Sequence, residues 1–253
     1  MRRVSGSDYS RLLGYKGNSF RIKGRGPGVR PGIEGRKVAM EGARYVPALL
    51  HRRLTRAYDL FARAFLREER LKRELVTRAR IGPGHRVLDL GAGTGTLAIM
   101  VKRAHPAARV TGLDGDPAIL VIARDKAARA GADVAFDVAD AGALPYPDAS
   151  FDRILSSLVM SVLTTEQKRL AVREAHRVLR PGGELSIGDF GPPHTRWGRF
   201  VTPLVRRFEP IRGNIEGLLP RILGEAGFDH VEEAGPIVTL FGTLWILSGR
   251  KPG

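Results

Sequence analysis

The run Val87-Leu88-Asp89-Leu90-Gly91-Ala92-Gly93-Thr94-Gly95 leaves this chain few folds to adopt. Arg86 to Leu90 reads as a short buried strand. Leu97, Met100, Val101 and Ala104 read as the apolar face of a helix that stops at His105-Pro106. The three alternating glycines between them let the backbone bend tightly and approach a ligand with no Cβ in the way. A strand, a glycine loop and a helix form the repeating unit of open α/β sheets, whose ligands sit beyond the carboxyl ends of the strands at the switch point. The spacing excludes two common ligand classes. A dinucleotide loop needs a third glycine where Thr96 stands, and a phosphate loop needs Gly-Lys-Ser/Thr, which does not follow.

Beyond the loop, strand and helix signatures alternate. Arg109 to Leu113 predicts a second strand. Asp116 with Pro117 opens the next helix, and Gly131 follows its end. Val134 to Val138 and Phe151 to Val159 predict two further strands. Thr164 and Gln167 have capping-box spacing ahead of a helix carrying Ala171, Ala175, Val178 and Leu179 on one face. Pro181-Gly182-Gly183 then leads into a fifth strand, Glu184 to Ile187. A short helix near Pro220 to Ala226 precedes two closing strands, around 230–238 and 240–248, with no helix between them. The expected fold is α/β: a doubly wound, Rossmann-like, seven-stranded, mostly parallel sheet with an antiparallel edge hairpin and an N-terminal helical cap. The expected divisions are a tail at 1–39, the cap at 40–80 and the sheet domain at 81–253. Leu50, Leu54, Tyr58, Phe61 and Phe65 supply the helical spacing of the cap.

The glycine run resembles motif I of the class I S-adenosylmethionine-dependent methyltransferases, and the likeness continues along the chain. Thr111-Gly112-Leu113-Asp114 resembles the acid-ended second strand of that family. Val138-Ala139-Asp140-Ala141 with Leu144-Pro145 resembles its third motif. Phe151-Asp152, Ser156-Ser157 and Arg177-Val178-Leu179-Arg180-Pro181-Gly182-Gly183 resemble its fourth strand and later turn. The similarity spans about Tyr45 to Pro252 and is nearest to the small-molecule branch that includes ubiquinone and menaquinone biosynthesis C-methyltransferases. The resemblance implies S-adenosyl-L-methionine as cofactor, held by Asp89, Gly91, Ala92, Gly93, Gly95, Asp114, Gly115, Asp140, Ala141 and Ser156. In it, Asp114 takes the ribose hydroxyls and Asp140 the adenine amino group. Gly115, Ser161 and Val162 depart from the family, which often has an aliphatic residue at the first position and histidines at the other two. Asp152 and His176 read as structural and solvated, respectively. Tyr58, Asp189 and His194 are candidates for chemistry at the ligand-facing ends, and no metal site is expected.

Charge bears on the acceptor. The chain has 42 Lys and Arg against 26 Asp and Glu, a net charge of +16. Residues 1–39 contain ten of those cations, two acids and eight glycines without apolar periodicity, a composition that cannot offset its ordering entropy. They also contain Ile33-Glu34-Gly35-Arg36, a protease site used to remove expression tags, shortly before Met40. We read them as a disordered or cloning-derived segment with the natural start near Met40, or as a basic tail for an anionic surface. The remaining 214 residues hold 32 cations against 24 acids, a moderate excess. The chain has no cysteine, which excludes disulfides and thiolate chemistry and suits the cytoplasm. The longest apolar run, Ile237 to Leu247, is too short to span a bilayer, which leaves peripheral membrane contact open. The expected acceptor is a small apolar or aromatic molecule, covered by the cap and by the segment from Gly191 to Gly213. The alternatives are an RNA or protein methyltransferase, and a cofactor-binding scaffold without catalysis.

Overall fold

The computed structural model describes residues 67–205, 209–240 and 242–253. The tail at 1–39 and the cap as far as residue 66, with Tyr58, Phe61 and Phe65, lie outside the described residues.

In chain order the described elements are α1 (Glu68–Arg78), β1 (Arg86–Leu90), α2 (Thr96–Ala104), β2 (Arg109–Asp114), α3 (Pro117–Arg129), β3 (Val134–Val138) and β4 (Phe151–Ser157). After a short 3-10 turn (Met160–Val162) come α4 (Thr165–Val178), β5 (Leu179–Gly191), α5 (Arg196–Val205), α6 (Glu209–Ile215), α7 (Leu218–Glu225), β6 (Asp229–Thr239) and β7 (Gly242–Arg250). They form a seven-stranded sheet in the order β3-β2-β1-β4-β5-β7-β6. β1 to β5 run parallel, and β7 lies antiparallel between β5 and β6, so the expected edge hairpin is present.

The strands feed two cores, as period-two alternation requires. Val87, Leu155 and Ile246 pack with α1, α2 and α3 residues such as Leu71, Leu97 and Leu120. Their neighbours Leu88, Ile154 and Leu247 pack on the other face with Val172 and Ala175 of α4 and Leu223 of α7. Helices therefore cover both faces, and the strand order reverses between β1 and β4. α1, the described remainder of the expected cap, lies against the sheet. A Cβ at Gly188 of β5 would stand 2.9 Å from both Leu71 Cδ1 and Leu75 Cδ1.

Local signals act as their chemistry requires. Asp116 caps α3 by accepting from Ala118 N at 2.8 Å, with Pro117 in the first turn. Thr164 and Gln167 complete a capping box on α4. Two details differ from the sequence reading. β5 begins at Leu179, paired with Phe151, and the Pro-Gly-Gly turn is an irregularity inside the strand pairing rather than a break before it. His176 is half-buried with its ring edge-on to Phe228 at 4.9 Å, because α7 and β6 cover a helix face that reads as polar in isolation.

Candidate functional site

The loop joining β1 to α2 sits where the strand order reverses. Gly91, Gly93 and Gly95 have φ of 76°, 52° and 75°, the left-handed region that side chains disfavour. Their surroundings give them different tasks. A Cβ on Gly91 would fall 2.3 Å from Cγ2 of Val159, in the segment after β4. One on Gly95 would fall 2.9 Å from the Phe136 ring. These two glycines let the loop pack down onto the domain. Among the described residues, a Cβ on Gly93 would find nothing nearer than Ile119 Cδ1, at 3.9 Å, an ordinary contact. The middle glycine therefore faces space that none of the described residues fills.

Gly93 also carries the link to the second acid. Its N–H donates to Oδ2 of Asp114 at 2.8 Å, while Oδ1 accepts from Asp116 N at 3.0 Å. Burial raises the Asp114 pKa above the ordinary carboxylate value, and the backbone donors oppose that rise. Each oxygen takes a backbone donor and keeps acceptor capacity for a ligand. Beside it, among the described residues a Cβ on Gly115 would meet only the Ala139 carbonyl, at 3.8 Å.

Three of the expected site residues work from beneath this loop. Asp89 is buried and accepts from Ala98 N at 2.9 Å. The helix α2 has Gly95 at its N-cap and no side-chain cap of its own, so the strand supplies the capping carboxylate. Burial pushes the Asp89 carboxyl up to about 7, against the pull of the Lys72 ammonium. Ala92 is buried and donates its N–H to Leu113 O at 2.8 Å. Ser156 is fully buried, and its hydroxyl donates to Leu90 O at 3.1 Å.

Asp140 is exposed and accepts from Gly142 N at 2.6 Å, shaping its own turn, while Ala141 is half-buried beside it. The following loop is clamped by Arg177, whose guanidinium donates to Leu144 O at 3.0 Å and Tyr146 O at 2.8 Å and pairs with Asp148 and Glu174. Glu174 completes the clamp by accepting from Leu144 N at 2.8 Å. The sequence reading placed Arg177 within a motif and missed this function. Asp152 is structural: buried, it accepts from Arg86 N at 2.8 Å and pairs with Arg180.

Asp189 lies buried near the end of β5. Its Oδ2 accepts from Ser161 N at 3.0 Å, and its Oδ1 accepts from Phe190 N at 2.7 Å and Asn214 Nδ2 at 3.3 Å. Asn214 Oδ1 in turn accepts from the fully buried Lys168 ammonium at 2.7 Å, which also donates to Pro210 O. Burial raises the Asp189 carboxyl to about 6. Its donors come from the protein itself, so the carboxylate ties the turn after β4, α4 and α6 to β5. A cleft lined by Ile187, Asp189, Phe190, Pro192, Asn214 and Trp245 opens there, two strands along from the glycine loop. His194 is exposed and stands edge-on to Trp245 with ring centroids 6.0 Å apart. The segment from Gly191 to Gly213 contributes α5 and α6, which the sequence reading did not identify as helices.

Residues 87–183 match the family model for a methyltransferase domain. The chain is 42% identical over 138 residues to a demethylmenaquinone methyltransferase of Thermus thermophilus, covering 54% of this chain and 62% of the relative. It is 38% identical over 130 residues to the ubiquinone/menaquinone biosynthesis C-methyltransferase UbiE of Xanthomonas oryzae, covering 50% of each. The chain thus spans less than two thirds of the length of these relatives. Among solved structures, the S-adenosylmethionine-dependent methyltransferase SibL aligns with a TM-score of 0.59 at 29% identity, over 78% of this chain and 57% of that one. The cyclase SpnF aligns with a TM-score of 0.60 at 26% identity, over 72% and 81%.

Proposed function

The domain described above belongs to the class I S-adenosylmethionine-dependent methyltransferases, and from that premise we propose that this chain methylates a small apolar or aromatic acceptor. The observation that carries the reading is the opening at Gly93, in front of a half-buried Asp114 whose oxygens retain acceptor capacity. The residues fit the cofactor. Gly93 leaves room for close approach, Asp114 can accept from both ribose hydroxyls, and the space at Gly115 beside Asp140 suits a flat base. Asp89, Ala92 and Ser156 act on the loop that does the holding.

When bound, S-adenosylmethionine supplies an electrophilic sulfonium methyl, which an acceptor lone pair or carbanion takes as the carbon–sulfur bond breaks toward sulfur. The chain's part is orientation and exclusion of water, which convert an encounter into an aligned reaction. An acceptor already ionised, such as a hydroquinone anion, requires no general base. That agrees with Asp189 being occupied by protein donors. The likeness to quinone methyltransferases supports an aromatic acceptor and makes demethylmenaquinone the first to test.

The likeness to SpnF, by name a [4+2]-cyclase rather than a methyltransferase, favours a second reading, in which this domain does not transfer a methyl group. Turnover separates the two. Stoichiometric S-adenosylhomocysteine and methylated product from a panel of hydroxylated quinols support methyl transfer. Tight cofactor binding with no S-adenosylhomocysteine from any member of the panel supports the second reading. Asp114→Ala should weaken cofactor binding about tenfold to a hundredfold in calorimetric titration, since charge-assisted hydrogen bonds are lost. Unchanged affinity in a folded variant would remove the ribose assignment.

A further inference from the structure

Most of the surface follows ordinary rules, but one face of α5 does not. Trp197 is 48% exposed, Phe200 76% and Leu240 44%, and they adjoin one another. The Trp197 and Phe200 ring centroids lie 5.8 Å apart, and the Trp197 indole N–H donates to Leu240 O at 3.1 Å. The other exposed large apolar side chains among the described residues are aliphatic: Val121, Ile122, Val138, Val162 and Leu170. Arg196 and Arg199 are exposed on the same two turns, and neither has an ion-pair partner among the described residues.

We propose that this face of α5, with Leu240, docks on an anionic lipid bilayer. The chemistry selects that partner. Exposed aromatics next to unpaired guanidinium groups match the boundary between acyl chains and phosphate headgroups, where rings sit and cations meet negative charge. With its N–H already bonded to Leu240 O, Trp197 enters an apolar phase without stranding a donor. Arg196 and Arg199 carry flexible apolar stems that reach back toward headgroups from a shallow helix.

The patch is anchored to the rest of the domain. Thr195 Oγ1 accepts from Gly198 N at 3.0 Å, setting the start of α5. Just before it, His194 N donates to Thr243 Oγ1 at 3.3 Å and Trp245 Nε1 donates to Pro192 O at 2.8 Å. The same Pro192 and Trp245 line the cleft at the carboxyl end of β5. Docking would therefore turn that cleft toward the lipid. No described helix is long and apolar enough to cross a membrane.

The test uses the full chain and vesicles of phosphatidylcholine, alone or mixed with phosphatidylglycerol. It reads binding rather than turnover, so it stands or falls separately from methyl transfer. Trp197 and Trp245 are the two tryptophans of the chain, which makes emission informative. Mixed vesicles should shift emission to the blue in the wild type and not in Trp197→Phe. Trp197→Ala with Phe200→Ala should lower partitioning about tenfold or more. Arg196→Gln with Arg199→Gln should remove the preference for phosphatidylglycerol, and circular dichroism checks the fold of each variant. Three results would overturn the proposal. One is equal binding by the aromatic double variant, which would assign the attraction to the basic residues before Met40. Another is a Trp197 already shielded from aqueous quenchers in the free protein, covered by its own chain or a second copy. The last is a folded protein that ignores both kinds of vesicle.

Discussion

Gly91 and Gly93 are two residues apart and share a left-handed φ, yet alanine should affect them differently. At Gly91 a methyl group would sit 2.3 Å from Val159 Cγ2, where a relaxed carbon contact is about 3.5–4.0 Å. More than an ångström must be made up by moving either the loop or the segment after β4. Overpacking of that kind costs about 1–3 kcal/mol, and the left-handed backbone adds about 1–2 kcal/mol for a residue with a Cβ. Gly91→Ala should therefore lose about 2–5 kcal/mol, a fall in Tm of roughly 10 °C for a domain of this size. At Gly93 the methyl group meets Ile119 only at 3.9 Å, so the backbone cost stands alone. Gly93→Ala should lose about 1–2 kcal/mol, roughly 4 °C in Tm. Its S-adenosylmethionine affinity should nevertheless fall at least tenfold, and Gly93→Val should abolish binding. Differential scanning calorimetry without cofactor and calorimetric titration with it measure the two quantities on the same samples. Equal destabilisation by the two alanines, or normal binding by folded Gly93→Ala, would refute the division of labour within the loop.

Arg177→Ala should leave the third-motif loop without its clamp and weaken cofactor binding several-fold, with Arg177→Lys recovering little because the guanidinium addresses several carbonyls and carboxylates at once. Titration calorimetry of the two variants checks this. Lys168→Met should destabilise the fold by about 1–3 kcal/mol in urea unfolding, because Asn214 and the Pro210 carbonyl lose a buried donor. Asp89 makes stability depend on pH: its carboxyl titrates at about 7 when folded and near 3.8 as a free group, so the folded state keeps a proton that the unfolded chain gives up. The stability of wild type minus that of Asp89→Asn should accordingly fall as pH rises from about 4 to about 7 and level off above; a difference that grows with pH across that window would contradict the burial argument.

The sheet was legible because its signals are local. The short, mostly buried runs of β1 and β4, the caps at Asp116 and Thr164, and the glycines at strand ends are set within a few residues. The two closing strands were readable as a hairpin because no helical spacing separates Val238 from Thr243. The candidate site was legible in part. Spacing singled out the glycine loop and Asp114, but it could not assign separate tasks to Gly91, Gly93 and Gly95, since Val159 and Phe136 come from distant segments. Asp89 and Ser156 read as ligand groups because the sequence does not reveal which side of the loop they support. Lys168 carries no local signal of its burial, since both of its hydrogen-bond partners, Pro210 O and Asn214 Oδ1, belong to α6. The roles of Arg177 and Asp189 were opaque for the same reason: besides the near partners Glu174 and Phe190, the groups they tie together lie about 25 to 33 residues away.

The Asp189–Asn214–Lys168 chain has a consequence for anyone redesigning this domain. Its three members come from β5, α6 and α4, and each loses a buried partner if another is replaced alone. A donor segment spanning α5 to α7, transplanted to change acceptor preference, would deliver Asn214 or a substitute into a socket that the host keeps. Such a graft should be chosen to retain an amide at that position, or exchanged together with residues 168 and 189 as one cassette. Chimaeras cut without regard to this coupling should express poorly for a reason unrelated to the acceptor they were built to accept.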